Sequence, residues 1–231
     1  MNSLLREKFL ELFGFNNGNR NGNWTKQAAE TKSMTALKMN PTPDEELLRQ
    51  ILAGDEGAFI VLYRRWQSGI YRFALRMCGS EALAEDVTQE VFMILMREGG
   101  RYDAGKGSLS AYLYGIARFQ VLRKMQRERT MVSMDDDNNE VTEEMMATSF
   151  DPLLDLSRAE TVQSVRAAIG VLPVHYREVV VLCELHELSY ADAAQVLGCA
   201  IGTVRSRLHR ARGLLVEKLR PVAARELRIG N

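Results

Sequence analysis

The residues of this chain with the clearest chemical potential are arginines on a helix that follows a short, small-residue helix near its carboxyl end. Ser189 precedes a helical pattern that Gly198 ends, and a second pattern begins after Ala200. Serine is a favoured helix N-cap, and the carboxylate of Asp192, three residues on, can accept a hydrogen bond from the backbone amide of the cap. Two helices joined by a tight turn, the second rich in arginine, are typical of a helix-turn-helix and predict DNA binding. The alternative is a solvated, charged helix that closes an ordinary bundle.

The second of these helices separates apolar from polar residues on a helical wheel. Its predicted buried stripe consists of Ile201, Val204, Leu208, Ala211 and Leu215. Its predicted outer face consists of Gly202, Thr203, Ser206, His209 and Arg210, flanked by Arg205 and Arg207. Such a face suits a helix in a major groove, where short polar side chains reach base edges and flanking arginines meet phosphates.

A second basic helix is predicted upstream, where Ser108 or Ser110 can cap a helical pattern. Its last turns carry Arg118, Arg123, Lys124, Arg127 and Arg129, and a loop rich in aromatic residues and glycine, 101–108, precedes it. Cations at a helix carboxyl end also compensate the helix dipole, which is the simpler interpretation. A basic helix beside an aromatic loop can nevertheless hold the phosphates of a single strand and enclose an unpaired base, and the same physics serves to open a duplex.

Both basic helices need scaffolds, and apolar periodicity predicts helices from residue 44 onward. Of the 231 residues, 46% are apolar and five are proline, which suits helical cores. We therefore predict an all-α chain of two small helical domains joined by a flexible acidic linker. The predicted parts are a flexible N-terminal extension 1–43, a bundle 44–129, the linker 130–157, the helix-turn-helix domain 158–220 and a C-terminal tail 221–231.

Charge is distributed unevenly although acidic and basic residues balance at 30 each. Residues 101–130 carry a net charge of +5, residues 131–160 of −8 and residues 201–231 of +6. The neutrality of the chain is thus an average over two basic segments and an acidic one, and the basic segments coincide with the two predicted nucleic-acid helices.

Cysteine and acidic residues give weak metal signals. The three cysteines, Cys78, Cys183 and Cys199, are an odd number at wide spacing, which favours reduced thiols. Cys183 and His186 form one Cys-x-x-His pair, but a structural zinc needs four ligands, so a core thiol is the better interpretation. Asp86 and Glu90 suggest a metal nuclease only if a further ligand completes the site, and none is near in the sequence. We expect no metal, no cofactor and no small-molecule substrate.

No run approaches the ~20 apolar residues of a membrane span, and the first residues are charged, unlike a secretory signal. We therefore expect a cytoplasmic protein without direct membrane insertion. Residues 1–15 form a weakly amphipathic pattern before an Asn- and Gly-rich stretch. They are either a docking helix for a partner or a dispensable tail, and Met34 or Met39 is an alternative start.

Several ordered motifs together resemble a known family. They are Ala84–Phe92, Tyr102–Ser108, Ala111–Arg118, the pair Leu172-Pro173, Tyr176–Val179 and Leu188–Arg212. In this order the chain resembles bacterial RNA polymerase sigma factors of the sigma-70 family, in the small extracytoplasmic function (ECF) group. The resemblance covers about residues 44–129, which match sigma region 2, and 158–219, which match region 4.

The resemblance implies a non-enzymatic initiation subunit that directs core RNA polymerase to promoters. It implies that Asp86, Gln89, Glu90 and Phe92 dock on the clamp coiled coil of the largest polymerase subunit. It implies that Tyr102, Lys106, Arg118, Arg123, Lys124 and Arg127 recognise and melt the −10 element. It implies that Gly202, Thr203, Arg205, Ser206, Arg207, His209 and Arg210 read the −35 element, while region 4 also touches the flap of the second-largest subunit. Members of the group are commonly held by an anti-sigma factor.

Three positions depart from the pattern of the family. Ala200 stands where serine is common, which removes an N-cap side chain at the recognition helix. Phe119 and Arg123 stand where asparagine and aspartate are expected, so the promoter sequence cannot be transferred from relatives. The alternative function is a stand-alone helix-turn-helix regulator, which explains the second domain but leaves the first without a task.

Overall fold

The computed structural model describes residues 42–135 and 156–229, and every regular element in these ranges is helical. We number their helices in chain order as α1 (Asp44–Leu52), α2 (Glu56–Cys78), α3 (Glu81–Glu98), α4 (Leu109–Asp135), α5 (Leu156–Gly170), α6 (Val174–Val180), α7 (Tyr190–Leu197) and α8 (Ile201–Ile229). A 3₁₀ turn, Gly99–Arg101, follows α3, and a π-helical turn, Val181–Leu185, follows α6. The predicted all-α class is confirmed. The N-terminal extension, its alternative start sites and most of the acidic linker lie outside the described residues.

Helix ends fall where the local sequence predicts them. Gly79 follows α2 with φ 74° and Gly198 follows α7 with φ 62°, a left-handed conformation that glycine adopts without steric cost. The hydroxyl of Ser80 accepts a hydrogen bond from the Leu83 amide at 3.3 Å, and the hydroxyl of Ser108 accepts one from the Ala111 amide at 3.2 Å. Ser108 rather than Ser110 therefore occupies the N-cap position of α4.

The linker boundary at residue 130 stays a prediction, although α4 continues past it to Asp135. The chain is also helical again from Leu156, two residues before the predicted second domain. Helix elongation adds one hydrogen bond for each residue fixed, whereas nucleation fixes several residues for one hydrogen bond. A long helix can therefore extend into a polar segment that would not start a helix by itself. Composition identified the acidic segment but not where the helices on either side of it end.

The chain divides into two compact units between Leu62 and Tyr63. In the first, α1 and the start of α2 bury five large apolar residues: Leu47, Leu48, Ile51, Phe59 and Leu62. The carboxylate of Asp55 caps α2 by accepting hydrogen bonds from the amides of Gly57 at 2.8 Å and Ala58 at 3.1 Å. This acidic N-cap fixes the direction in which α2 leaves the turn.

The second unit, from Tyr63 onward, contains the elements that carry the predicted site residues. The rest of α2 together with α3 and α4 buries one apolar group, which includes Phe73, Met77, Phe92, Leu95 and Leu113. Helices α5 to α8 bury another, which includes Leu172, Val179, Leu182, Val204 and Leu208. Helix α4 packs against α3 and also against α7, so the basic helix of the bundle is in contact with the first helix of the helix-turn-helix.

Candidate nucleic-acid interface

The helix-turn-helix consists of α7 and α8, held by a short capped turn. The Ser189 hydroxyl accepts a hydrogen bond from the Asp192 amide at 3.0 Å and donates one to the Asp192 carboxylate at 2.6 Å. In α8 the buried stripe includes Val204, Leu208 and Ala211, as predicted. Ile201 is an exception at 42% exposure, and Leu215 is only half-buried.

The outer face of α8 is open to solvent. Its exposed members are Gly202, Arg205, Ser206, His209 and Arg210, with Thr203 and Arg207 half-buried at its edges. The described structure thus places all seven predicted recognition residues on one accessible side of the helix or at its border. A face of this composition can present hydrogen-bond donors to base edges and cations to phosphates.

Two side chains that the sequence analysis did not single out hold arginines on this side of the helix-turn-helix. The Arg205 guanidinium carbon lies 5.9 Å from the ring centroid of Tyr190, within the range of a cation–π contact. Arg212 donates to the Glu184 carboxylate at 2.6 Å. An aromatic residue directly after the cap serine was the available signal for Tyr190, whereas Glu184 is brought close only by the π-helical turn.

The loop before α4 is internally braced. The Tyr102 hydroxyl donates to the Gly107 carbonyl at 3.0 Å, and its ring lies 5.6 Å from the ring of Tyr112 between centroids. Lys106 is exposed and pairs with Asp103 at 3.5 Å, an interaction that solvent weakens. These contacts hold the loop in one conformation, so it presents a preformed aromatic and basic surface.

The predicted −10 cations on α4 differ in how they are held. Arg123 and Arg127 are exposed. Lys124 donates to the Asp86 carboxylate of α3 at 3.1 Å. Arg118 donates through Nε to Glu178 Oε1 at 2.7 Å and through Nη2 to Oε2 at 3.4 Å. Since the Glu178 side chain is only 3% exposed and that of Arg118 29%, this pair is largely shielded from solvent.

The acidic face predicted to meet the polymerase lies on α3. Asp86 is exposed, and Gln89 and Glu90 are half-buried. The expectation that Phe92 lies on this face is wrong, because its side chain is fully buried and its ring lies 4.6 Å from that of Tyr63 between centroids. Its position in the helix turns it toward the bundle core, so Phe92 supports the face from behind.

Polar contacts between described residues join the bundle to the helix-turn-helix segment. Besides the Arg118–Glu178 pair, Ser108 donates to the Asp192 carboxylate at 2.7 Å, and the Tyr114 hydroxyl lies 2.8 Å from His186 Nδ1. Arg177 donates through Nη1 to the Met77 carbonyl at 2.6 Å and through Nη2 to the carbonyls of Gly170 and Leu172. The Gln195 side chain also fills the space beside Gly107, where a Cβ would stand.

His186 lies at the centre of this packing. Burial, together with the charges of Arg72 and Arg76, lowers its pKa to about 4, so the imidazole is neutral at pH 7. Burial also raises the pKa of its neighbour Tyr114 to about 12. A neutral imidazole can accept a hydrogen bond from the Tyr114 hydroxyl at Nδ1. A protonated ring would place a positive charge near Arg72 and Arg76, which is unfavourable.

Neither a metal site nor a membrane span is found within residues 42–135 and 156–229. In those ranges no three His, Cys, Asp or Glu side chains are grouped to hold an ion. Cys183 is half-buried, and burial raises the pKa of its thiol to about 11, which suits a core thiol better than a thiolate ligand. No helix in the same ranges has both the length and the apolar character that crossing a bilayer requires.

A helix-turn-helix with an open basic face, together with a second basic helix on the neighbouring bundle, is the arrangement of a DNA-binding protein class, and the comparisons identify which one. The family model described as Sigma-70 region 2 matches residues 62–130, and the model described as Sigma-70, region 4 matches residues 163–215. The chain belongs to the sigma-70 family, in its ECF group.

Relatives within this group are similar over most of the chain. The RNA polymerase sigma-H factor of Pseudomonas aeruginosa is 30% identical over 184 residues, which are 78% of this chain and 95% of that protein. The ECF sigma factor SigE of Mycolicibacterium smegmatis is 32% identical over 161 residues, 68% of this chain. That alignment spans 60% of SigE.

Solved structures show the same fold. The sigma factor RpoE of Bartonella quintana, in complex with the anti-sigma factor NepR, has a TM-score of 0.54 at 30% identity and covers 67% of this chain and 91% of its own. CnrH, in complex with the cytosolic domain of CnrY, has a TM-score of 0.58 at 24% identity over 77% of this chain and 97% of its own. The second likeness supports the fold alone.

Proposed function

We propose that this protein binds core RNA polymerase and directs it to promoters that carry a −35 and a −10 element. The observation that carries the proposal is the pair of basic surfaces, the outer face of α8 and the exposed side of α4, in a chain that matches the models of both sigma regions. In this proposal α8 reads the −35 element as duplex, and the loop before α4 together with Arg123 and Arg127 binds the −10 element as it opens.

The proposed polymerase contact is the α3 face with Asp86, Gln89 and Glu90. The exposed carboxylate of Asp86, with the half-buried amide and carboxylate beside it, complements basic groups on a partner helix, and such contacts guide register and association rate. We assign this face to the clamp coiled coil of the largest subunit and a surface of region 4 to the flap of the second-largest. The proposed domain bounds remain 44–129 and 158–220, with α4 extending beyond the first.

Regulation by an anti-sigma factor completes the proposal. The similar RpoE structure is a complex with the anti-sigma factor NepR, which supports the same kind of partner here. The protein acts in the cytoplasm, where its polymerase is, as an alternative sigma factor without catalytic activity of its own. In this proposal the signal that activates the protein is the one that releases it from its anti-sigma partner.

The direct test is transcription in vitro with purified core polymerase and pooled genomic promoters, with and without the protein, followed by sequencing of RNA 5′ ends. New start sites that share two upstream elements are expected. If the protein instead protects duplex DNA without polymerase and forms no core complex, it is a stand-alone regulator and the proposal fails.

A matched pair of variants tests the polymerase face. Asp86→Ala combined with Gln89→Ala is expected to weaken retention of core polymerase on the immobilised protein. Glu85→Ala removes an exposed carboxylate from the neighbouring position of α3, on another side of the helix, and serves as the control. Equal retention by both variants would remove this face from the interface.

A further inference from the structure

Three arginines form a cluster where the carboxyl ends of α2 and α5 meet. Arg72 and Arg76 are one helical turn apart on α2, so they share a face of the helix, with about 5–6 Å between their Cβ atoms. Arg166 lies on α5, one turn before the last residue of that helix. The guanidinium of Arg177 joins the two helix ends, because it donates to a carbonyl at the end of each. The arginine cluster thus spans the junction between the bundle and the helix-turn-helix domain.

The positive charge of Arg76 is opposed by its neighbours and is not balanced by a carboxylate. Burial, and then the charges of Arg166 and Arg72, lower the pKa of Arg76. Arg72 and Arg166 are exposed, and Arg76 is half-buried. Within residues 42–135 and 156–229, none of the three arginines forms an ion pair. Like charges at short range repel one another, so an anion that binds between them removes an unfavourable interaction.

Capping of the two helix ends does not account for the cluster. Cations near a helix carboxyl end commonly donate to its last carbonyls and compensate the helix dipole. Here Arg177 performs this role, because it donates to Met77 at the end of α2 and to Gly170 at the end of α5. Among the described residues, neither Arg76 nor Arg166 donates to these carbonyls. Their N–H groups are therefore available to a ligand.

A neutral donor lies at the same junction. The His186 ring centroid is 6.1 Å from that of Phe73, the residue that follows Arg72 on α2. Its Nδ1 lies 2.8 Å from the Tyr114 hydroxyl, and the lowered pKa of His186 keeps the ring neutral at pH 7. When Nδ1 accepts a hydrogen bond from the tyrosine, the imidazole proton is on Nε2. That N–H adds a donor beside the cluster without adding charge.

The chemistry of the cluster fits a chain of phosphates. A guanidinium presents its N–H donors in a planar fork that matches phosphate oxygens, and hydrogen bonds between charged groups are roughly twice as strong as neutral ones. Three positive charges on two helices are balanced better by several linked anionic groups than by one carboxylate. The cluster is also separate from the outer face of α8, the cations of α4 and the acidic face of α3.

We propose that Arg72, Arg76 and Arg166 bind a polyphosphate group, which is either inorganic polyphosphate or the phosphate chain of a nucleotide. Since two of the arginines belong to the bundle and the third to α5, the bound anion ties the bundle to the helix-turn-helix domain. The site goes beyond the proposed function, because neither the promoter contacts nor the polymerase face uses these arginines. Its ligand favours the form in which the two domains are packed together.

The test is isothermal titration calorimetry of the full-length protein with inorganic tripolyphosphate, at constant ionic strength and without magnesium. Saturable binding of a single anion per chain is expected, and the anion should raise the melting temperature. Arg76→Gln should weaken binding roughly tenfold or more, because it removes a charge-assisted contact. Arg76→Lys should recover part of the affinity, since it restores the charge without the planar fork. Circular dichroism checks that each variant is folded.

A matched control separates a built site from general attraction of an anion. Arg64→Gln removes the same charge from an exposed position of α2, roughly 12 Å along the axis from Arg72, and should bind like the wild type. Absence of saturable binding by the wild-type protein overturns the inference. Equal losses in Arg64→Gln and Arg76→Gln overturn it as well. If Arg123→Gln weakens binding and Arg76→Gln does not, the anion binds the basic side of α4 and the inference fails.

A second titration, with adenosine triphosphate, distinguishes the two sources of the phosphates. Tighter binding than that of tripolyphosphate, lost in Arg76→Gln, supports a nucleotide as the ligand. Equal or weaker binding, lost in the same variant, supports inorganic polyphosphate. If an acidic peptide such as oligoglutamate binds more tightly than both phosphate compounds and depends on Arg76, the cluster is a peptide site and the inference is wrong.

Discussion

Replacement of Glu178 by glutamine should strengthen binding of single-stranded DNA by the free protein. In the structure the Glu178 carboxylate holds both Nε and Nη2 of Arg118, a cation that the family resemblance assigns to the −10 element. While that pair is formed, the Arg118 guanidinium cannot turn to a phosphate. The glutamine keeps the size of the side chain and removes the charge that holds Arg118 in place.

The magnitude follows from the burial of the pair. Removing one partner of a fully buried ion pair typically costs about 3–5 kcal/mol. Here the carboxylate is buried, but the Arg118 side chain is 29% exposed and can recover hydration. We therefore expect a loss of about 1–2 kcal/mol, because part of the charge returns to solvent. Since the pair joins the bundle to the helix-turn-helix, that loss raises the population of the separated form by about 5- to 30-fold.

The assay is fluorescence anisotropy with a labelled single-stranded oligonucleotide and the free protein, at constant salt. Glu184→Gln is the matched control, because it makes the same change in net charge while its partner, Arg212, belongs to the same helix-turn-helix segment. Glu178→Gln should bind several-fold more tightly than Glu184→Gln, with circular dichroism confirming that both are folded. Equal affinities of the two variants would refute the view that Glu178 restrains Arg118.

Three further outcomes are expected. Stability should fall as the pH drops from about 6.5 toward 4, because the pKa of His186 is lowered to about 4 in the folded chain and protons bind more readily to the unfolded one. His186 is surrounded by Tyr114, Arg72 and Arg76. His186→Asn removes the titrating ring, so the melting temperature of this variant should depend less on pH over the same range. Ala200→Ser should raise the melting temperature by about 2 °C or more by supplying an N-cap oxygen to α8. Arg210→Ala should reduce promoter-dependent transcription without weakening binding to core polymerase. Arg220→Ala, the control, should leave promoter-dependent transcription unchanged.

Helix ends were predictable because their causes are local. Ser80 and Ser189 cap helices and Gly198 ends one, and each of these roles depends on a residue type and neighbours only a few positions away. The buried stripe of α8 was predictable for the same reason, since periodicity determines which side chains share a face. Ile201 was not, since it lies on the same stripe by periodicity and is nevertheless 42% exposed.

Long-range pairing could not be predicted from pattern. Glu178 is 60 residues from Arg118, and nothing in its surroundings in the sequence indicates a buried carboxylate. Phe92 was assigned to an exposed face because the family motif includes it, yet its position turns it into the core.

The acidic side chains of this chain explain how a neutral protein can carry the two proposed nucleic-acid surfaces. Glu178 holds Arg118, Asp86 holds Lys124, and Asp192 holds the hydroxyl of Ser108 at the start of the same helix. In the free chain, carboxylates thus occupy Arg118 and Lys124, two cations that the family resemblance assigns to the −10 element. Association with DNA then exchanges one set of charge pairs for another, so its net gain is small unless polymerase holds the two regions apart. On the proposed function, we therefore expect the protein to bind promoter DNA weakly alone and more tightly within the polymerase complex.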